Sequence, residues 1–418
     1  MSPPSHHVYR LFEVTGIELE YAVVDRALNP RCLVEEAFRR ICGRSTSEFL
    51  YRQAGFSNEL AAHVLEIKTP HPHRNLAHAE ADLVDGVSFF TRVLREQFDA
   101  RLLPTAMHPF MHPSETTLWR RAGRRIYRAY ARVFPIHQHG WVNVQCSHIN
   151  LPFGTEQQTV TLHNAIACLL PYLPALTASS PIIEGKLGPS VDNRLAFYRT
   201  NQAKLPEISG DVIPEYMTSY RQYRREILAP MYRMLRGIRG GAVLAHEWVN
   251  SRGAIPRFGR RAIEIRTLDT QECVKMDVAM AVFVRGVLKW MVKQLRAGSL
   301  VLPAHAMLVQ DFRRVVARGN RARVYATHLR HPSDRSGTTS PEKVLLALLE
   351  AAACETPARE QGFLPLVERQ IRMGNLAERI VRVVRRYGGR TSARRAAAIR
   401  GIYGDFMECL EHNTPWDG

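Results

Sequence analysis

The segment TGIELEYAVVD, residues 15–25, limits what the chain can fold into more than any other stretch. Ile17, Leu19, Tyr21 and Val23 alternate with Glu18, Glu20, Ala22 and Val24, and the side chains of a strand repeat every two residues. A strand here has one wholly apolar side and sends both carboxylates off the other. Alternate residues on one face lie about 7 Å apart, and at an effective dielectric near 20 two carboxylates at that spacing repel by roughly 2 kcal/mol. Such a face is either wet, which removes the repulsion, or it holds cations.

The pattern recurs. Glu66 sits between Leu65 and Ile67 in the strand-like run 62–69, and Glu264 between Ile263 and Ile265 in the run 261–268. A fourth run, 141–151, puts Cys146, His148 and Asn150 on one face. If these runs are neighbours in a sheet, the glutamates converge in a cluster that divalent cations make tolerable. Oxygen ligands with one imidazole suit magnesium or manganese, hard ions that bridge to phosphates. The chemistry implied is phosphoryl transfer. Arg266, on the same face as Glu264, is placed to neutralise a transferring phosphate. A solvated polar face stands beside this as the plain alternative.

Strand-like and helix-like stretches alternate without the strand-helix-strand rhythm of a parallel sheet, which predicts an α+β fold with an antiparallel sheet. Helices are expected over 75–98, 157–177, 212–236 and 274–297. Past residue 300 the pattern is almost wholly helical, with Ser340 as an N-cap and Pro341 as first helical residue after the loop 331–343. The expected division is 1–300 as a catalytic part and 301–418 as a helical, arginine-rich part packed on the same body.

Fifty-seven Lys and Arg against 39 Asp and Glu give a net charge of +18, densest over 371–401. Without aromatic-basic interleaving or a nucleic-acid module, a solvated helix face is expected rather than nucleic-acid binding, and an acidic peptide partner stays open. Seven scattered cysteines with no CxxC pair are expected to be reduced thiols, mostly packed in the core. No apolar run reaches the roughly 20 residues of a membrane helix, so a cytoplasmic protein is expected. P-loop, Rossmann, HExxH and GxSxG motifs are absent, and the histidine-rich stretches 70–78 and 136–140 lack a partner carboxylate motif.

Five segments, GIELEYAVVD, HVLEIKTP, SHINLPF, LLPYLPALTASSPIIEGKLGPSVDNR and PRFGRRAIEIRTLDT, follow one another in this order. Together they resemble the glutamate-cysteine ligases and related carboxylate-amine ligases of the glutamine synthetase superfamily, over roughly residues 12 to 290. The resemblance implies a glutamine-synthetase-like antiparallel sheet curved into an active-site funnel, with helices on its outer face and two or more magnesium ions inside. It also implies that ATP phosphorylates the γ-carboxylate of glutamate and that the amine of cysteine attacks the acyl phosphate. By position, Glu20 and Glu66, with Glu59, resemble ligands of the ion nearer the substrate. Glu18, His148 and Glu264 resemble those of the ions on the ATP phosphates. Arg266 resembles the arginine on the γ-phosphate, and Arg194 one that reads the amino acid's carboxylate. Asn150 stands where relatives often carry a second histidine, and is expected to touch substrate. Residues past 300 carry nothing over from the resemblance, which leaves the amine acceptor open: cysteine, another amine or a peptide, or a basic protein without catalysis. Relatives are often dimers, so a homodimer is expected.

Overall fold

The computed structural model describes residues 8–120, 124–329, 337–389 and 391–418. Ten strands occur among them: β1 (Gly16–Asp25), β2 (Glu48–Tyr51), β3 (Ala54–Asn58), β4 (Val64–Lys68), β5 (Ala100–Leu103), β6 (Cys146–Pro152), β7 (Ile182–Ile183), β8 (Lys186–Leu187), β9 (Ala254–Arg257) and β10 (Ala262–Asp269). Eight form one antiparallel sheet in the order β2-β3-β4-β1-β6-β10-β9, with β5 also on β1, while β7 and β8 form a separate ribbon. The expected α+β class with an antiparallel sheet is what the chain adopts.

β1 is the hub. One edge pairs with β4 over Glu18 to Ala22. The other edge is shared, β6 taking Gly16 to Leu19 and β5 taking Ala22 to Asp25. Its apolar side does what alternation demands: Ile17, Leu19, Tyr21 and Val23 are fully buried. They pack with Leu65 and Ile67 of β4, Ile149 and Leu151 of β6, and Ile263 and Ile265 of β10 against the helices Leu76–Phe98, Glu156–Leu169 and Val274–Ala297. The first of these helices lies directly on the sheet at Gly86, where a Cβ would come within 2.7 Å of Ala54 Cβ.

The same core runs on through the helices His305–Arg318, Pro341–Glu355 and Leu364–Met373. The last two long helices, Leu376–Tyr387 and Ser392–His412, instead reach the other face of the sheet. There Ala22 and Val24 of β1 and Leu103 of β5 meet Leu376, Ile380, Ile402, Tyr403 and Phe406. One side of β1 is thus divided along its length: Glu18 and Glu20 look into an open cavity, Ala22 and Val24 into a second core.

Several boundaries differ from the sequence expectation. The helix expected over 157–177 ends at Leu169 and passes through a 3-10 turn and one short helix, each with a proline in its first two positions, Pro171 and Pro174. The one expected over 212–236 starts only at Tyr220 and contains a π-turn over Arg224–Leu228. Ahead of it, Val212 adopts a φ of 70° that no helix accommodates. The strand expected from 141 begins at Cys146, because His139–Val142 makes a helical turn. Ser340 does cap its helix, accepting the Lys343 N–H, while residues 331–336 of the preceding loop lie outside the described residues. Among the described residues no helix is long and apolar enough to cross a membrane.

Candidate active site

Strand register assembles the site in rows. Glu20 stands opposite Glu66, which stands opposite Ser57 of β3. Glu18 stands between Lys68 and His148. Asn150 stands between Gly16 and Glu264. The five carboxylates Glu18, Glu20, Glu59, Glu66 and Glu264 line one cavity of about 310 Å³, together with Lys68, Cys146, His148, Arg257, Arg260 and Arg266. Glu59 comes from the turn between β3 and β4 rather than from a strand.

Within the cavity two sets of predicted ligands come together. Oxygens of Glu20, Glu59 and Glu66 lie within 4.8 Å of one another, and so do ligand atoms of Glu18, Glu66 and His148. Glu264 lines the same cavity as Glu18 and His148, and its oxygens also face two guanidiniums. One of its oxygens accepts from Arg257 Nη1 at 2.5 Å and the other from Arg266 Nε at 3.0 Å, so its charge is taken up by two guanidiniums. Arg194 does not line the cavity; it is buried, donating from Nε to Asp269 Oδ1 at 2.5 Å, and its Nη1 reaches the Arg266 carbonyl. Asn150 is half-buried and donates from Nδ2 to Glu18 Oε1 at 3.1 Å.

The electrostatics separate the cavity into two ends. Burial opposes the charge of Glu264, but Arg266, His148 and Arg257 outweigh it and hold its pKa well below the usual range. Glu18 is similar, with burial overcome by the His148 hydrogen bond. At the other end burial, reinforced by Glu20 and Glu66, pushes Glu59 well above the usual range. Burial and Glu18 raise Glu66, although Lys68 donates to it at 2.5 Å. Burial disfavours a charged His148 ring, yet Cys146, Glu18 and Glu20 around it raise its pKa well above the usual value. One end is neutralised by arginine; at the other the crowded carboxylates hold their protons more tightly.

Sequence reasoning passed over Lys68, Arg257, Arg260, Trp141 and Tyr198, which also line the cavity. Lys68 had a signal, standing two residues after Glu66 and so on its face. Arg257 had none, since the short β9 is recognisable only by its pairing with β10. The histidine-rich stretches contribute nothing here: His73 faces Asp82, and His139 pairs with Glu184 and Asn143.

The sequence model of glutamate-cysteine ligase family 2 matches residues 14–400. The chain belongs to this family. An uncharacterized protein of Archaeoglobus fulgidus is 36% identical over 366 residues, 88% of this chain and 92% of its own length. The glutamate-cysteine ligase of Francisella tularensis, solved in complex with AMP, is 14% identical and superposes with a TM-score of 0.59 over 96% of this chain and 90% of its own. A bifunctional glutathione synthetase from Pasteurella multocida is 16% identical with a TM-score of 0.54, covering 95% of this chain and 52% of that one. At these identities the likeness is one of fold. The family match runs through the helices past residue 300, which the sequence motifs alone did not tie to the ligase fold.

Proposed function

We propose that the protein is an ATP- and magnesium-dependent ligase that activates the γ-carboxylate of glutamate as an acyl phosphate and joins it to the amine of cysteine. The observation that carries this reading is the meeting of Glu18, Glu20, Glu59, Glu66 and His148 in one cavity that also holds Arg266.

The donor set fits divalent cations. At about 4.8 Å and an effective dielectric near 20, each pair of charged carboxylates costs roughly 3 kcal/mol. Among the described residues Lys68 is the one cation that donates to the Glu20, Glu59 and Glu66 group, and it reaches only Glu66. Carboxylate oxygens with one imidazole suit magnesium or manganese. Glu20, Glu59 and Glu66 would hold one ion, and Glu18, Glu66 and His148 another. Such ions, when bound, neutralise the triphosphate.

The chain's own groups do the rest. Glu264 fixes the Arg266 guanidinium through Nε at 3.0 Å, and Arg266 Nη1 reaches the Asn250 carbonyl at 3.4 Å, so the arginine is oriented before substrate arrives. A preset cation favours the transition state, in which charge spreads over the γ-phosphate oxygens, more than the ground state. Arg260, with its side chain 59% exposed and 3.8 Å from Glu18, adds a solvent-facing cation for phosphate oxygens. The amine nitrogen then attacks the acyl carbon and inorganic phosphate leaves.

A second reading keeps this chemistry with another amine acceptor. It is favoured by the burial of Arg194 against Asp269, which withholds from the cavity the arginine expected to read an amino acid's carboxylate. ADP release with glutamate and a panel of amines, with mass detection of products, decides between them. If cysteine adds nothing over glutamate alone while another amine does, the cysteine assignment falls. Unchanged magnesium-dependent turnover in both E20Q and E264Q would refute the ligase site itself.

A further inference from the structure

β6 enters the cavity at Cys146, two residues before His148 and on the same face. Cys146 Sγ lies 2.9 Å from His148 Nε2 and 3.3 Å from Glu20 Oε2. The three ligand atoms lie within 4.8 Å of one another, and the residues are only 9%, 8% and 6% exposed for Cys146, His148 and Glu20. The imidazole is aimed: its Nδ1 is 3.2 Å from Glu18 Oε2, which leaves Nε2 facing the sulfur. A carboxylate behind a histidine is how metal sites fix ring orientation.

Magnesium has little use for a thiolate, whereas sulfur, imidazole and carboxylate together suit zinc or cobalt(II). A tetrahedral ion about 2.3 Å from sulfur and about 2.1 Å from nitrogen holds those two atoms about 3.6 Å apart. The separations here need to open by less than an ångström.

We propose that Glu20, Cys146 and His148 form a thiophilic-metal site, with the remaining coordination open to the cavity, that takes zinc or cobalt(II) in preference to magnesium. Glu20 and His148 also belong to the two sets assigned above to magnesium. Zinc in this site therefore disrupts both sets and inhibits turnover, a consequence that rests on the ligase reading; the binding itself does not.

The test is titration of the metal-free, full-length protein with cobalt(II). A sulfur-to-cobalt charge-transfer band with intense four-coordinate visible bands is expected, bleached by one equivalent of zinc. Loss of an outer-shell partner alone weakens metal binding about 10- to 100-fold, so C146S should lose the band and weaken zinc by about tenfold or more. Wild-type protein without the band, or C146S that keeps it, overturns the site. Should C146S fail to fold, alkylation of the wild-type protein by iodoacetamide, mapped by peptide mass, decides: zinc should shield Cys146, and equal labelling with and without zinc overturns the site. Magnesium-dependent ADP release is read in zinc-free samples of the same protein. Turnover without a cobalt band refutes this site alone, and a cobalt band without turnover refutes the ligase reading alone.

Discussion

Replacing Glu59 by glutamine should stabilise the metal-free protein and shrink the stabilisation that magnesium confers. Glu59 shares with Glu20 and Glu66 a space in which all three ligand oxygens lie within 4.8 Å. At an effective dielectric near 20, adding a third charge beside two others at that spacing costs roughly 6 to 7 kcal/mol. The protein escapes part of this by keeping a proton: burial first, then Glu20 and Glu66, raise the Glu59 pKa well above its ordinary 4.5. In the unfolded chain Glu59 ionises near that ordinary value, while the folded protein still binds the proton. Stability of the metal-free protein therefore falls as pH climbs from about 4.5 towards the raised value. Glutamine does not titrate, so E59Q loses this slope and should gain about 2 to 3 kcal/mol at neutral pH, a shift of a few degrees in Tm. With magnesium the sign reverses, because a neutral amide oxygen replaces a charged ligand. Thermal unfolding followed by circular dichroism, in EDTA and in saturating magnesium at about pH 5 and about pH 8, reads all of this. An E59Q protein that melts below wild type in EDTA at the higher pH, or that keeps the full magnesium increment, refutes the reasoning.

Other perturbations read other parts of the structure. E264Q leaves Arg257 and Arg266 without their shared carboxylate, and ATP turnover should drop about 100-fold or more, measured as ADP release with folding checked by circular dichroism. R194M strands Asp269 in the interior at a cost of about 3 to 5 kcal/mol, visible in urea unfolding. G86V drives a side chain into Ala54 of β3 and should cost about 1 to 3 kcal/mol, whereas unchanged stability would contradict that close approach. S340A removes the cap on the Lys343 N–H and should cost about 1 kcal/mol by the same measurement.

What could be read from the sequence was whatever alternation encodes. Glu18, Glu20, Glu66 and Glu264 could be placed on polar faces because each is flanked by apolar residues that end in the core. The helix Val274–Ala297 could be delimited because a long, nearly unbroken apolar run without proline leads to Gly298, whose φ of 72° ends it. The strands β2, β3, β5 and β9 are four or five residues long and take their conformation from partners, so periodicity had nothing to work with. Arg194 and Arg266 are both arginines in family-like segments; only tertiary packing sends one to Asp269 and leaves the other in the cavity. Cys146 shared a face with His148 in the sequence, but its distance from Glu20 depends on where β6 stops pairing with β1.

The division of β1 between cavity and second core has a consequence for how the protein is made. Residues 18 and 20 leave the ribosome long before the helices that cover Ala22 and Val24, which lie more than 350 residues further along. Folding from the N-terminus during synthesis can pair β1 with β4 and β5 early. The hub strand nevertheless waits with half of one face bare until those two helices are made, and such long-range closure is slow. A ribosome stalled before residue 376 would display Glu18 and Glu20 beside an uncovered apolar strip, which makes the nascent chain a client for chaperones until the helices Leu376–Tyr387 and Ser392–His412 arrive.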